Sequence, residues 1–354
     1  MKCRYFGRCG GCYFNLPYPE QLRLKRQGLE EILPPGWPDF RLIRSERVRG
    51  YRSRQDLVYA FGKLGLRRRG SYRHVTDLES CWLMPERANQ QLRVIRERIF
   101  DLESYDYIRH RGYLRYVTFR STAFTQELMI IFLTAKRDPR IRKLMKAVEA
   151  ESVVWSVNQG LADVNFGEVR EWIGRPWIEE RLDAYRFRIG PNCFFQSNPW
   201  IARKLFRYLR KLARGISAER IIDLYSGIGC IAVYLSSLAP VMAVESNPES
   251  VEYGRINTQL NSCQIEWVQK DVKEWLKEPG EAGLAVLDPP RSGLGGKVLR
   301  RLKRWGPESI LYISCNPERA VGEILELDYE VQEIRAFDMF PQTPHLEAVF
   351  LLSR

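Results

Sequence analysis

The chain has 354 residues, 45% of them hydrophobic, and a formal net charge of +13, which leaves room for two domains with sizeable cores. No apolar run approaches the length of a membrane span and no secretory pattern opens the chain, so a cytoplasmic protein with no membrane role is expected. Residues 1–215 carry +19, whereas residues 216–354 hold 14 basic and 20 acidic side chains, a net −6; a basic front joined to a mildly acidic back predicts a polyanion-binding module beside a catalytic one, with nucleic acid as the partner.

Four of the eight cysteines, Cys3, Cys9, Cys12 and Cys81, crowd into the first 81 residues. Without a secretion signal a disulfide framework is not expected. Four thiolates suit a [4Fe–4S] cluster, and equally a structural zinc ion; composition does not separate the two. The Pro-rich stretch 33–38 reads as a local loop. Arginine alternates with aromatic residues in Tyr51-Arg52-Ser53-Arg54 and again in the segment 67–73, which holds Arg67, Arg68, Arg69, Tyr72 and Arg73, a pairing suited to phosphate contact and base stacking. Residues 113–120 and 127–134 are rich in β-branched and aromatic side chains and lie close enough for a hairpin. Helical spacing follows over 140–150 and strand character over 152–158. Residues 1–190 are therefore expected to form an α+β RNA-recognition domain.

From residue 191 to 354 the pattern becomes a strand–helix alternation, with strands over 220–224, 241–245, 265–269, 284–287, 310–314 and 346–352. This predicts an α/β domain, a doubly wound, mainly parallel sheet whose ligand crevice lies at the C-terminal ends of its strands. Five features fall at that edge. The turn Asp223-Leu224-Tyr225-Ser226-Gly227-Ile228-Gly229 has glycines that let backbone approach a ligand and let a helix start tightly. It is not a P-loop, and Ala232 stands where a dinucleotide fingerprint has its third glycine. Glu245 closes the next strand, where an acid accepts from a ribose diol, and Asp271 follows the third, within reach of an adenine amino group. Asp288-Pro289-Pro290-Arg291 is a rigid turn after the fourth strand. Cys315 ends the fifth, where a lone thiol is placed for nucleophilic chemistry.

These turns together resemble the S-adenosylmethionine half of a class I (Rossmann-like) methyltransferase. With Phe194-Phe195-Gln196-Ser197-Asn198, Ser314-Cys315-Asn316-Pro317 and the run Phe337-Asp338-Met339-Phe340-Pro341-Gln342-Thr343-Pro344-His345-Leu346-Glu347, in that order, the whole chain resembles the RNA uracil-5 methyltransferase family, which forms 5-methyluridine. The resemblance implies Cys315 as the nucleophile that adds to uracil C6 and Glu347 as the base that removes the C5 proton. It implies S-adenosylmethionine in a site lined by Gln196, Tyr225, Gly227, Gly229, Glu245, Asp271 and Asp288. It also assigns Cys3, Cys9, Cys12 and Cys81 to a [4Fe–4S] cluster. Because the cluster cysteines come almost at once, with no room for the β-barrel that many members carry, the expected relative is the iron–sulfur branch acting on 23S rRNA, with tRNA as the alternative target and a monomer as the expected state. A non-catalytic iron–sulfur RNA-binding protein is the alternative of another class; the joint presence of Cys315 and Glu347 speaks against it.

Overall fold

A computed structural model of the chain describes residues 3–71 and 73–354. Tyr72, one of the aromatics interleaved with arginine, lies outside the described residues. Turns carrying Cys3, Cys9 and Cys12 lead into α1 (Tyr18–Glu30) and then β1 (Phe40–Ile43). A seven-stranded sheet follows, built from β2 (Arg54–Ala60), β3 (Lys63–Arg67), β4 (Val75–Asp77), β5 (Leu114–Ser121), β6 (Leu128–Thr134), β7 (Ser152–Val157) and β8 (Glu168–Gly174) in the order β4-β3-β2-β5-β6-β7-β8. The expected hairpin is β5–β6, antiparallel. One face of the sheet packs on α2 (Glu86–Arg98) and α3 (Arg142–Met145) around Leu57, Leu92, Phe119, Phe132 and Leu144. The helix expected over 140–150 is thus a single short turn of α-helix behind a 3₁₀ turn at Pro139–Ile141.

A hairpin of β9 (Ile178–Leu182) and β10 (Tyr185–Ile189) bridges to α4 (Pro199–Ile216). The start of α4 is legible locally: the Asn198 side chain accepts from Ile201 N–H and Pro199 fills the first turn. The second half then alternates β11 (Ile221–Leu224), α5 (Cys230–Leu235), β12 (Val241–Glu245), α6 (Pro248–Leu260), β13 (Ile265–Gln269), α7 (Val272–Trp275), β14 (Leu284–Leu287), α8 (Gly295–Trp305), β15 (Ser309–Ser314), α9 (Pro317–Leu325), β16 (Glu330–Phe337) and β17 (Glu347–Ser353). Successive residues of the inner strands serve opposite layers: Ile221, Val241 and Ala243 pack with α4 and α5, Ile222, Met242 and Val244 with α7, α8 and α1. Burial on both faces is why these strands read as continuous apolar runs.

The sheet has eight strands in the order β1-β16-β17-β15-β14-β11-β12-β13, with β17 antiparallel to both neighbours. The direction of winding reverses between β11 and β14, and the crevice opens above their C-terminal ends. This is the class I methyltransferase architecture. Its edge strand comes from the front of the chain: β1 runs parallel to β16, Phe40 beside Ile334, although residues 40–43 fall within the span expected for the RNA-recognition half. Leu29 of α1 and Phe40 are buried in the same core layer as Ile334 and Phe350. Among the described residues no helix is long and apolar enough to cross a membrane.

Candidate active site

The turn after β11 is bent by positive φ at Tyr225 (64°), Gly227 (55°) and Gly229 (82°). At Gly229 a Cβ would lie 2.8 Å from the Trp267 ring, so the close packing as well as the backbone requires glycine. Glu245, at the end of β12, is held by its own surroundings. One carboxylate oxygen accepts from Gly227 N–H at 3.0 Å, the other from Ser246 and Asn247 N–H, both at 2.7 Å. Asp271 caps α7, accepting from Lys273 N–H at 2.8 Å, and is exposed at the rim. The Gln196 amide, buried, donates to Asp288 Oδ2 at 3.3 Å. Its carbonyl accepts from Ser53 Oγ at 2.9 Å, so the first half of the chain positions this loop.

Acids crowd the crevice. Burial lifts the Asp288 carboxyl to a pKa of about 7. Burial, then the charge of Asp288, lifts Glu347, only 3% exposed at the start of β17, well above the carboxylate range. Asp223 was not singled out as a ligand from the sequence, yet it is fully buried and neither carboxylate oxygen has a hydrogen-bond partner. Burial and the neighbouring Asp288 raise its pKa strongly. A buried carboxyl with this little hydrogen bonding is suited to a polar or cationic ligand. What fits beside Asp223, Asp288 and Glu245 is a cation, with a glycine turn that lets a nucleoside approach the backbone.

Cys315 stands at the C-terminal end of β15, half-buried, its thiol pushed up to about 11 by burial and then by the charges of Glu347 and Asp288, against the weaker pull of Arg291. The structure thus brings Cys315, Glu347 and Asp288 into one electrostatic unit. The Arg291 guanidinium lies 3.3 Å from both ring nitrogens of His345, which places it over the imidazole. Phe14, Lys25, Arg291, Cys315 and His345 line a crevice of ≈ 240 Å³ on the α1 side of the thiol. Phe194 is 60% exposed, two residues from Gln196.

The four front cysteines converge although Cys81 is distant in sequence. All are free thiols. Cys9 is pushed up to about 11 and Cys12 to about 12, by burial first and then by the charges of their sister thiols, Cys3 and Cys81 included. Asn89 holds Cys81, accepting from its N–H at 2.8 Å. Among the described residues no three His, Cys, Asp or Glu side chains are grouped as ligands of a metal ion. The arginine–aromatic runs serve the fold more than a surface. Tyr51 is core, its hydroxyl donating to Pro341 O at 2.9 Å. Arg67 pairs with Asp163 and lies over Tyr107, and Arg69 donates to Cys12 O at 2.5 Å while covering Tyr13. Arg68 of the same run is exposed.

Residues 281–354 match the family model described as tRNA (Uracil-5-)-methyltransferase. Across 98% of its length the chain is 34% identical to tRNA (uracil(54)-C(5))-methyltransferase of Pyrococcus abyssi, covering 84% of that protein. It is 30% identical to 23S rRNA (uracil(747)-C(5))-methyltransferase of the same organism, over 100% of this chain and 85% of that one. The crystal structure of the P. abyssi tRNA (uracil-54, C5)-methyltransferase in complex with S-adenosyl-L-homocysteine superposes with a TM-score of 0.81 at 32% identity, covering 97% of this chain and 86% of that one. The expected affiliation with the 23S rRNA branch is corrected by these similarities, which favour the tRNA relatives. The front cysteines behind that expectation do not report which RNA fits the surface.

Proposed function

As this chain belongs to the tRNA (uracil-5-)-methyltransferase family, we propose that it methylates C5 of a uridine in tRNA, at the uracil 54 position for which its relatives are named. The enzyme is an RNA uracil-5 methyltransferase and S-adenosylmethionine is its methyl donor. When bound, the donor supplies an electrophilic methyl group on a cationic sulfur. The single observation that carries the mechanistic reading is the unit of Cys315, Glu347 and Asp288 at the mouth of an acidic crevice.

Gln196, Tyr225, Gly227, Gly229, Glu245 and Asp288 are proposed to hold the donor, with Asp271 at the rim and Asp223 added for its unpartnered carboxylate. A cation beside these groups favours every ionised form, lowering the pKa of the Cys315 thiol and of both neighbouring carboxyls. The thiolate of Cys315 then adds to uracil C6, and the ring electrons move to C5 as an enolate. C5 bonds to the methyl group, leaving S-adenosylhomocysteine. Ionised Glu347 accepts the C5 proton, the C5–C6 double bond reforms, and the Cys315 sulfur departs as thiolate. The target base has to leave its stack to meet both thiol and donor.

Cys3, Cys9, Cys12 and Cys81 are proposed as ligands of an iron–sulfur cluster. Support comes from four free thiols within electrostatic reach of one another and from the family resemblance. No step of the methyl transfer passes through it.

The deciding experiment supplies labelled S-adenosylmethionine with either a full tRNA transcript or a 23S rRNA fragment and digests the product to nucleosides. Labelled 5-methyluridine in tRNA at position 54 is expected. Label confined to the rRNA fragment would refute the target, and label in another nucleoside would refute the chemistry.

A further inference from the structure

Nine residues, 338–346, join β16 to β17 and deliver Glu347 to the crevice, and they contain neither helix nor strand. Their internal hydrogen bonds are few. Thr343 N–H and Oγ1 donate to Phe340 O at 3.2 and 2.8 Å, and His345 N–H donates to Thr343 Oγ1 at 3.3 Å. The loop is held instead from outside, chiefly by residues 13–25, with Asp338 N–H also donating to Ile43 O and Tyr51 OH to Pro341 O, both at 2.9 Å.

Lys25 of α1 makes three of these contacts. Its ammonium pairs with Asp338 at the start of the loop and donates to Phe340 O at 3.0 Å and to His345 O at 2.8 Å near its end. Three donors are all an ammonium has, and here all three go to one loop. Both side chains of the ion pair are fully buried. The other Asp338 oxygen accepts from Tyr18 OH at 2.7 Å. Gln21, one turn before Lys25, accepts from Gln342 N–H at 2.9 Å and donates to Gln342 Oε1 at 3.0 Å. Gln342 sits at φ 71°, a backbone state that needs such support. Tyr13 and Phe14 N–H close the set on Gln342 O at 2.6 and 3.0 Å.

A solvated surface loop needs none of this, and a buried charge is costly unless fully paired. We propose that Lys25, aided by Gln21, is a positioning residue for the catalytic base: it fixes the ends of the 338–346 loop, and so the placement of Glu347 against the substrate C5 proton, without touching donor or uracil chemistry itself. The inference rests on the base role proposed for Glu347. Loosening the clamp leaves Cys315, directly after β15, free to attack, and slows only the removal of the proton that lets the sulfur leave.

The test uses Lys25→Met combined with Asp338→Asn, which removes the pair without stranding a buried charge, and separately Gln21→Met. Each folded enzyme is mixed with tRNA and labelled S-adenosylmethionine. Methyl groups per active site in the first turnover, steady-state kcat, and the fraction of enzyme in a denaturant-stable RNA adduct are read together. The proposal expects first-turnover methylation within about threefold of the parent, kcat lowered roughly tenfold or more, adduct accumulating, and donor affinity within about twofold, with a smaller change in the same direction for Gln21→Met. Parental kcat without adduct in both variants overturns it. So does loss of the first methyl transfer in folded protein, because that places the clamp upstream of proton removal. Glu347→Gln is run alongside: adduct there but not in the clamp variants sinks the role of Lys25 alone, and adduct in neither sinks the assignment of Glu347 beneath it.

Discussion

At the scale of single residues, the resting thiol of Cys315 is mostly protonated near neutrality because burial and the charges of Glu347 and Asp288 hold it at about 11. Only the thiolate is nucleophilic. Alkylation of Cys315 by iodoacetamide in the free enzyme is therefore expected to accelerate about tenfold per pH unit between roughly pH 7 and 9.5, with no plateau. Adding the donor should speed alkylation at neutral pH if access remains; a plateau below about pH 8 would show that the thiol is already activated. Asp288 gives a second pH signature. Its carboxyl titrates near 7, above the unfolded value of about 3.9, so the folded protein binds a proton that the unfolded chain has released. That contribution to stability is full below about pH 4 and is lost as pH rises towards 7 in the unliganded enzyme. A cationic donor selects the ionised form, so its affinity should rise with pH up to about 7–8 and weaken by up to tenfold per unit below. Titration calorimetry at several pH values checks this, and an affinity independent of pH would remove Asp288 from the donor site. Cys315 was legible in the sequence because a thiol at a strand end is conspicuous. Asp223 was not, because its missing partners are a property of packing.

At the scale of elements, the parallel strands were readable since their apolar runs are buried on both faces, and the turn after β11 since glycine favours the positive φ of Gly227 and Gly229. Gly229 tests that turn. Gly229→Ala adds a Cβ 2.8 Å from Trp267 at φ 82°, so a loss of about 1–3 kcal/mol is expected, together with weakened donor binding. Unchanged thermal unfolding and unchanged donor affinity would mean that the turn relaxes freely. The membership of β1 in the catalytic sheet was hidden, because four residues that pair with a strand near the other end of the chain carry no local sign of it. The loop 338–346 was visible as a motif but not as a structure: its shape is imposed by α1, and no periodicity encodes a template lying in another segment.

For the whole molecule, the charge split predicts RNA binding that weakens steeply with salt, and within the arginine triplet Arg67 and Arg69 have partners in the fold while Arg68 is exposed. Arg69 is committed to Cys12 O and the face of Tyr13. Arg69→Ala is expected to loosen the cysteine loop, so that anaerobically purified protein, carrying about four irons per chain in the parent, loses its iron faster in air while the salt slope for tRNA stays the same. Parent protein with stoichiometric zinc and no iron would overturn the cluster, and a flattened salt slope would return Arg69 to the RNA surface. Phe194 is the candidate for a base-stacking contact: its ring is 60% exposed, two residues from Gln196, and has no core to serve. Phe194→Ala should cost about 1–3 kcal/mol in tRNA affinity by filter binding, with donor affinity unchanged.

The central claim is that Cys315 becomes covalently joined to the target uracil during methyl transfer. It is tested most directly with a tRNA transcript in which 5-fluorouridine replaces uridine, since fluorine at C5 leaves Glu347 no proton to remove. A denaturant-stable complex that forms only with S-adenosylmethionine is expected, with a tryptic peptide containing Cys315 that carries one methylated fluorouridine. A methylated product with no adduct, or an adduct on any other cysteine, would contradict it.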